Sequence, residues 1–173
     1  AGTFIETSSI PGGSTTTLNE ARFASSATSL PNGQILVLGG AEIVPEPEDD
    51  GSGLPLWQQS QNLTQLKNSI ELYDPATGLW TQLTEPTQVL PYPTAFHEAV
   101  YLPSQNLVAV IGGFIETSPG VLEPTGQIAL LDLTTMTFLP AEQSGSSQFP
   151  RVFSTTTVLD YSGEETLLLV GGL

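Results

Sequence analysis

The stretch Gln34-Ile35-Leu36-Val37-Leu38-Gly39-Gly40 is a short apolar run that ends in a glycine pair. The chain repeats this pattern in Leu107-Val108-Ala109-Val110-Ile111-Gly112-Gly113 and again in Leu167-Leu168-Leu169-Val170-Gly171-Gly172. A polar turn precedes each run, and a segment rich in Thr, Ser, Ala and Val precedes each turn. Repetition of this kind is typical of an array of small structural units that stack on one another.

A second pattern recurs between the glycine pairs, first in residues Ile70–Trp80 and then in residues Ile128–Phe138. The distance from the glycine pair to the aspartate of this pattern is longer in the first unit than in the second. The difference indicates an insertion of about fifteen residues in one loop, which is how repeat units usually differ from one another.

Each unit contains enough chain for four strands, predicted in the first complete unit at Ala24–Leu30, Gln34–Leu38, Asn68–Tyr73 and Leu79–Leu83. Apolar runs without polar alternation indicate strands that are covered on both faces, as happens where sheets stack. The glycine pairs fit positions where another backbone approaches too closely for a side chain. No ten-residue stretch shows helical periodicity, so the sequence predicts an all-β chain.

Together, a strand opened by Arg, an apolar run with Gly-Gly, and the phrase Tyr-Asp-Pro-x-Thr-Gly-x-Trp resemble the kelch repeat. Units of that family are the four-stranded blades of a β-propeller. Three residues depart from the motif: Thr94 replaces Arg, Leu131 replaces Tyr, and Phe138 replaces Trp. The matching positions are Arg22, Gly39, Gly40, Tyr73, Asp74, Gly78 and Trp80, then His97, Gly112, Gly113, Asp132 and Phe138, then Arg151, Gly171 and Gly172.

The resemblance implies a kelch-type β-propeller segment of four-stranded antiparallel blades, a partial ring of about eleven strands. Residues 1–20 would hold the last strand of a preceding blade plus a loop, and residues 21–92 a complete blade with a long insertion at 41–67. Residues 93–150 would form a second complete blade, and residues 151–173 the first two strands of a further blade. Propellers have four to eight blades, so we expect a piece of a longer polypeptide; the alternative is a short protein that completes itself by association.

Aromatic residues open the fourth strand of each unit in this alignment, namely Phe4, Trp80 and Phe138. We expect them to pack between blades. The strand that ends at Val170 and the strand at Thr3–Thr7 would each have an unpaired edge, which is a template for pairing with more β-structure. The expected partner of these edges is the rest of the propeller or another chain.

The composition is acidic, with 3 basic and 18 acidic residues and a net charge of −15, and it lacks cysteine. Nucleic acids and anionic membranes require basic patches, so the strong negative charge argues against both as partners. No apolar stretch approaches the ~20 residues of a membrane span. A polar surface built from Ser, Thr, Gln and Asn, with a single lysine, favours an extracellular or cell-surface location.

Loop lengths predict that the long loops all lie on one face of the predicted disc. The loops after the first and third strands of each unit are short, whereas those after the second and fourth are long. Binding sites usually lie on loops that a rigid scaffold holds. The alternative is a solvated acidic rim with no partner. The candidate ligand-contacting acids on the long loops are Glu42, Glu46, Glu48, Asp49, Asp50, Glu116 and Glu123.

Three local features are weaker candidates for sites. Glu48, Asp49 and Asp50 lie beside glycines and could offer oxygen ligands to Ca²⁺, although they lack the spacing of an EF-hand. His97, the single histidine, occupies a position where the kelch motif often has His, which favours a structural hydrogen bond. Asn62-Leu63-Thr64 satisfies the N-glycosylation sequon, with Asn62 as the acceptor.

Catalysis finds little support in these residues. Without cysteine, the copper site of the galactose-oxidase branch of kelch propellers cannot be built within this segment, and no nucleophile elbow or phosphate-binding loop is present. The sequence therefore favours a non-enzymatic extracellular propeller that binds a protein or glycan through its long-loop face, with no cofactor other than calcium considered. Two alternatives stay open: the propeller part of a secreted carbohydrate-active enzyme whose catalytic residues lie outside this segment, and a structural subunit of a cell-surface assembly.

Overall fold

A computed structural model describes residues 17–43 and 64–173 of the chain, and every helical or extended element in these ranges is a β-strand. The prediction of an all-β chain is confirmed. In chain order the strands are β1 (Ser26–Ser29), β2 (Ile35–Leu38), β3 (Ala41–Ile43), β4 (Thr64–Leu66), β5 (Ile70–Asp74), β6 (Leu79–Leu83), β7 (Glu98–Leu102), β8 (Leu107–Ile111), β9 (Phe114–Ser118), β10 (Val121–Pro124), β11 (Gln127–Asp132), β12 (Thr137–Phe138), β13 (Gly145–Ser146), β14 (Ser154–Tyr161) and β15 (Glu164–Gly171).

The strands form three main antiparallel sheets. Sheet 1 has the order β1-β2-β5-β6, and sheet 2 has the matching order β7-β8-β11-β12. Sheet 3 is the hairpin β14-β15. Strands β1, β7 and β14 are therefore equivalent first strands, and β2, β8 and β15 are equivalent second strands.

The predicted count of about eleven strands is too low, because the described part of the chain alone contains fifteen. The additional strands lie in the long loops. Strand β3 pairs with β4, β9 pairs with β10, and β13 adds to the start of β11. Their sequences do not repeat between units, although β3–β4 and β9–β10 both begin directly after a glycine pair.

Turn chemistry at the short connections agrees with the sequence prediction. Gly33 follows Pro31-Asn32 with a φ of +86°, and Gly78 ends its turn with a φ of +71°. The carboxylate of Asp74 accepts a 2.8 Å hydrogen bond from the amide of Ala76, and Asp132 accepts one of 2.7 Å from Thr134. Aspartate at the start and glycine at the end thus close the turn between β5 and β6, whereas Met136 takes the positive φ, +54°, in the turn that Asp132 begins.

Two hydrophobic cores hold the three sheets face to face. The first core joins Leu36, Leu38 and Ile70 of sheet 1 to Val108 and Leu131 of sheet 2. The second core lies on the other face of sheet 2, where its central side chains pack against Val158, Leu167 and Leu169 of sheet 3. Successive residues of β8 therefore alternate between two cores, which explains why its sequence is apolar throughout.

The expectation for the aromatic residues is confirmed at one position. Phe138 packs against the first core, between sheets 1 and 2. Trp80 pairs with Tyr73 in the same register in which Phe138 pairs with Leu131. Its ring lies 4.9 Å from that of Tyr73, and it is half-buried on the face of sheet 1 that points away from the first core. Phe4 lies outside the described residues.

Candidate functional site

All long connections join strands at the same end of the sheets, where the strands terminate. We call this end the long-loop edge. Antiparallel strands place alternate loops at opposite ends of a sheet. Residues 39–69, 84–97, 112–126 and 139–153 connect strands at the long-loop edge, whereas connections of two to five residues occupy the other end. The predicted one-sided elaboration is thus present in the structure, and the β3–β4 and β9–β10 hairpins are part of it.

The glycine pairs lie at this edge because the backbone of the next sheet crosses there. A Cβ atom at Gly39 would lie 2.6 Å from the carbonyl oxygen of Thr94, and one at Gly112 would collide with the carbonyl of Arg151. The amides of the second glycines, Gly40 and Gly113, donate 2.8 Å hydrogen bonds to the same two carbonyls. The predicted close approach of another backbone is therefore confirmed, and the same joint is built twice.

The residue that opens each unit stabilises its own glycine pair. Arg22 donates a 2.9 Å hydrogen bond from Nη1 to the carbonyl of Gly39, and Arg151 donates one of 2.6 Å to Gly171. Thr94 donates from Oγ1 to the carbonyl of Gly112 at 3.3 Å. A threonine can thus replace the arginine in the second unit because its hydroxyl reaches the equivalent acceptor.

Arg22 also belongs to a buried ion pair that the sequence analysis did not anticipate. Its Nη2 atom lies 2.6 Å from Oε1 of Glu71, and the two side chains are 1% and 0% exposed. The Glu71 carboxylate accepts further hydrogen bonds from the amide and side chain of Asn19 and from the amide of Glu20. Buried charges require this degree of pairing, because an unpaired charge in the interior is strongly destabilising.

The network extends from this pair to the surface. Burial alone would raise the pKa of Glu20, but hydrogen bonds from Ser69 and Gln82 and the charge of Lys67 lower it below its ordinary value. Lys67 also lies 2.7 Å from Glu42 on β3. Glu42 was predicted as a ligand contact, but its carboxylate forms an ion pair with Lys67 within the protein.

The remaining acidic candidates have different outcomes. Glu116 and Glu123 are exposed on the β9–β10 hairpin, where Glu116 accepts a 2.7 Å hydrogen bond from the amide of Gly120. In residues 17–43 and 64–173, no group of three or more acidic, histidine or cysteine side chains could hold a metal ion. The other candidates, Glu46, Glu48, Asp49, Asp50 and the sequon residue Asn62, lie outside the described residues.

His97 connects sheets 1 and 2. It is buried, and its Nε2 atom lies 2.8 Å from Oγ of Ser26 on the neighbouring sheet. Its ring occupies the space left by Gly39, whose Cβ would lie 2.9 Å from the ring. Burial lowers the pKa of His97 to about 4. The geometry agrees with the structural role expected from the sequence.

His97 should make the fold sensitive to acid. Its pKa is lower in the folded state than the ~6.5 of an unfolded chain, so its contribution is complete above pH 6.5 and is lost as the pH falls towards 4. Between pH 7 and pH 4.5 we expect the wild type to lose about 2 kcal/mol more unfolding free energy than His97→Gln. Urea titrations of both proteins at the two pH values measure this difference, and parallel losses would contradict it.

Four phenylalanines meet at the long-loop edge: three lie just before the first strands of sheets 1, 2 and 3, and the fourth begins β9. We call Phe23, Phe96, Phe114 and Phe153 the aromatic cluster. The ring of Phe96 lies 4.7 Å from that of Phe153, 6.1 Å from Phe114 and 6.3 Å from Phe23, each in an edge-to-face arrangement. Phe153 is 54% exposed, and Phe23 is also exposed. The only signal in the sequence was a phenylalanine two residues after both Thr94 and Arg151.

The backbone holds this cluster in a repeated and strained conformation. The equivalent residues Ala24, Phe96 and Phe153 have φ values of +52°, +57° and +58°, a region that L-residues with side chains rarely adopt. The amide of Phe96 donates to the carbonyl of Ala24 at 2.9 Å, and that of Phe153 donates to Phe96 at 3.4 Å. Strain of this kind persists where the surrounding structure enforces it, and it concentrates at functional sites.

A cleft of about 590 Å³ is lined by residues of the 84–97 and 139–153 connections together with residues of β11 and β12. Its volume is in the range of small-ligand sites. No charged side chain lines it, although the protein is highly acidic. Rings of Tyr92 and Phe138 form part of the wall, with Gln127 and Ser146 as polar groups. Burial raises the pKa of Tyr92 to about 12, so its phenol keeps its proton at neutral pH.

Comparison with known proteins adds no name to this site. No protein-family model matches the chain, and no curated protein is significantly similar to it. In the described parts of the chain, no helix is long and apolar enough to cross a membrane.

Proposed function

We propose that this chain is a segment of a kelch-type β-propeller that acts as an extracellular, non-enzymatic binding module. Two features support the propeller. Sheets 1 and 2 share one strand order and stack face to face. The joint between a glycine pair and the carbonyl of the next unit is the same between sheets 1 and 2 as between sheets 2 and 3.

The aromatic cluster is the observation on which the binding function rests. It places exposed phenylalanine rings at the end of the sheets that carries all the long loops. The neighbouring β9–β10 hairpin exposes Val121 and Leu122 beside Glu116 and Glu123. An exposed apolar patch with a polar rim is typical of a surface that binds another protein. We therefore favour a protein ligand with an apolar centre.

A glycan ligand is the second candidate, and the cleft favours it. Sugars pack on aromatic rings and pair with neutral hydroxyl and amide groups, which the walls of the cleft offer. The same chemistry would suit the propeller part of a secreted carbohydrate-active enzyme. We place the enzyme second because glycoside hydrolysis generally uses a pair of carboxylates, and the residues that line the cleft include no Asp or Glu.

The test is selection of ligands followed by substitution at the cluster. Peptides from a displayed random library and glycans from an array are selected on the immobilised wild-type protein. We expect Phe153→Ser to weaken the selected protein-type ligands by about tenfold or more. Tyr161→Ser is the matched control, because Tyr161 is an exposed aromatic residue of the same sheet at the opposite edge. Ligands that bind Phe153→Ser as well as the wild type, or that are lost only with Tyr161→Ser, would overturn the proposal.

A further inference from the structure

The cleft lies where the fourth strand of sheet 2 is interrupted. In sheet 1 the pairing of β5 with β6 is continuous along the whole length of both strands. In sheet 2 the chain leaves the sheet after Leu139, whose amide donates a 2.8 Å hydrogen bond to the carbonyl of Leu130, and it returns in a shifted register as β13. We call residues 140–144 the excursion, and three of them, Pro140, Ala141 and Ser144, line the cleft.

The floor of the cleft is the face of sheet 2 that points towards sheet 1. Ala129 and Leu131 of β11 point that way, because both belong to the first core. Gln127 is on the same face, since residues two apart along a strand share a face. Ser146 pairs with Gln127 and Phe138 pairs with Leu131, so their side chains also lie on this face. All of these residues except Leu131 line the cleft.

The connection between β6 and β7 forms the opposite wall, and it is fixed to both sheets. Leu90 is buried in the first core, and its amide donates a 2.8 Å hydrogen bond to the carbonyl of Asn68, just before β5 of sheet 1. The carbonyl of Thr87 accepts a 2.8 Å hydrogen bond from the amide of Phe138 in sheet 2. The wall is thus held in place without a ligand, as is usual for small-molecule sites.

Polar groups of the lining are neutral and available to a ligand. Thr87, Gln127 and Ser146 are exposed, and their side chains form no hydrogen bond with the residues that the structure describes. The rest of the lining is mostly apolar, and it includes the rings of Tyr92 and Phe138. A ligand that matches this lining needs an apolar surface next to several hydroxyl or amide groups.

The charge of the protein narrows the class of ligand further. The chain has 18 acidic and 3 basic residues, yet no carboxylate, ammonium or guanidinium group lines the cleft. A cationic ligand would find no carboxylate there, and an anionic ligand would find no cation and would be repelled by the acidic surface. Either ligand would lose hydration without compensation, so the lining favours an uncharged one.

We propose that the cleft binds a neutral sugar, one whose pyranose rings carry neither a carboxylate nor an amine. A pyranose has a face of C–H groups that packs on an aromatic ring, here Tyr92 or Phe138. Its rim of hydroxyls pairs with the side chains of Thr87, Gln127 and Ser146. This inference rests on the binding function proposed above and specifies its glycan candidate: the sugar occupies the cleft and not the aromatic cluster.

Saturation-transfer NMR titrations test the proposal with two sets of probes. The neutral set contains oligomers of glucose, xylose and N-acetylglucosamine, and the acidic set contains sialyllactose and oligogalacturonate. We expect at least one neutral series to bind saturably and the acidic sugars to bind at least about tenfold more weakly. Gln127→Leu should weaken the neutral sugar by about tenfold, because it removes the amide. Gln143→Leu is the matched control, because Gln143 is exposed on the excursion but does not line the cleft.

Two further variants locate the sugar. Ser146→Trp should abolish sugar binding, because an indole on the floor fills the cleft, whereas Phe153→Ser should leave sugar binding unchanged and weaken only the ligands of the aromatic cluster. The proposal is overturned if no neutral sugar binds, if acidic sugars bind equally well, or if Gln127→Leu and Gln143→Leu lose the same affinity. Binding of an uncharged polyproline peptide in place of any sugar would also overturn it. Failure here leaves the result at the aromatic cluster intact, because different variants report on the two sites.

Discussion

The variant Gly112→Ala should lose at least about 3 kcal/mol of unfolding free energy, in protein dilute enough to be monomeric. Two effects add at this position. An alanine at a φ of +68° costs about 1–2 kcal/mol. Its Cβ would also collide with the carbonyl of Arg151, which receives the amide of Gly113. The chain must then separate sheets 2 and 3 at this joint or distort both strands.

Gly171→Ala is the control for this prediction. Gly171 has nearly the same backbone conformation, with a φ of +73°, but a Cβ there meets nothing within 4 Å. Only the conformational penalty of about 1–2 kcal/mol is expected. Urea unfolding followed by circular dichroism gives both values. Equal losses at Gly112 and Gly171 would show that the two glycines have the same surroundings, which would contradict the observed stacking of the sheets.

The parts of the fold that the sequence predicts are those that repeat. Strands β2, β5 and β6 lie where the apolar runs and turn residues place them, and the glycine pairs lie where a backbone crosses. The β3–β4 and β9–β10 hairpins could not be predicted in this way. Residues such as Glu116 on β9 are exposed and polar, so their pairing leaves no hydrophobic pattern in the sequence.

The candidate site was predicted only in its location. Loop lengths indicated the long-loop edge correctly, but the acidic residues predicted as ligand contacts did not indicate the aromatic groups that are exposed there. Glu42 is paired with Lys67, and the exposed groups at this edge include Phe23 and Phe153. The aromatic cluster joins residues that precede the first strands of three different sheets and are far apart in the sequence. Their contact depends on how the sheets stack, which periodicity within one strand does not report.

Glu71 is the residue whose environment in the structure differs most from the one that the sequence predicts. It lies between Ile70 and Leu72 on β5, and alternation predicts a solvent-facing glutamate at this position. In the structure its side chain is fully buried against Arg22, which is remote in the sequence. The equivalent residue in sheet 2 is the apolar Ala129, so the ion pair belongs to the first unit and not to the repeat.

Breaking this pair should destabilise the protein strongly. Glu71→Gln keeps the size of the side chain but removes the buried counter-charge of Arg22 and leaves only the partly exposed Glu20 carboxylate, 3.8 Å from Nη2. Breaking a buried pair in this way typically costs about 3–5 kcal/mol. Arg22→Met should cost a similar amount, because it leaves the carboxylate of Glu71 unpaired. Arg151→Met is the control for loss of the motif arginine, since Arg151 makes its hydrogen bond to Gly171 at an exposed site and should cost much less.

The double variant Arg22→Met/Glu71→Leu decides what the pair contributes. Replacing a buried ion pair by apolar residues of similar size is often neutral, because the desolvation of both charges is avoided together. The double variant should therefore recover most of the stability that each single variant loses, as measured by urea unfolding of all four proteins. Additive losses would instead show that Arg22 and Glu71 act independently. The hydrogen bonds from Arg22 to Gly39 and from Asn19 to Glu71 would then be what stabilises this end of sheet 1.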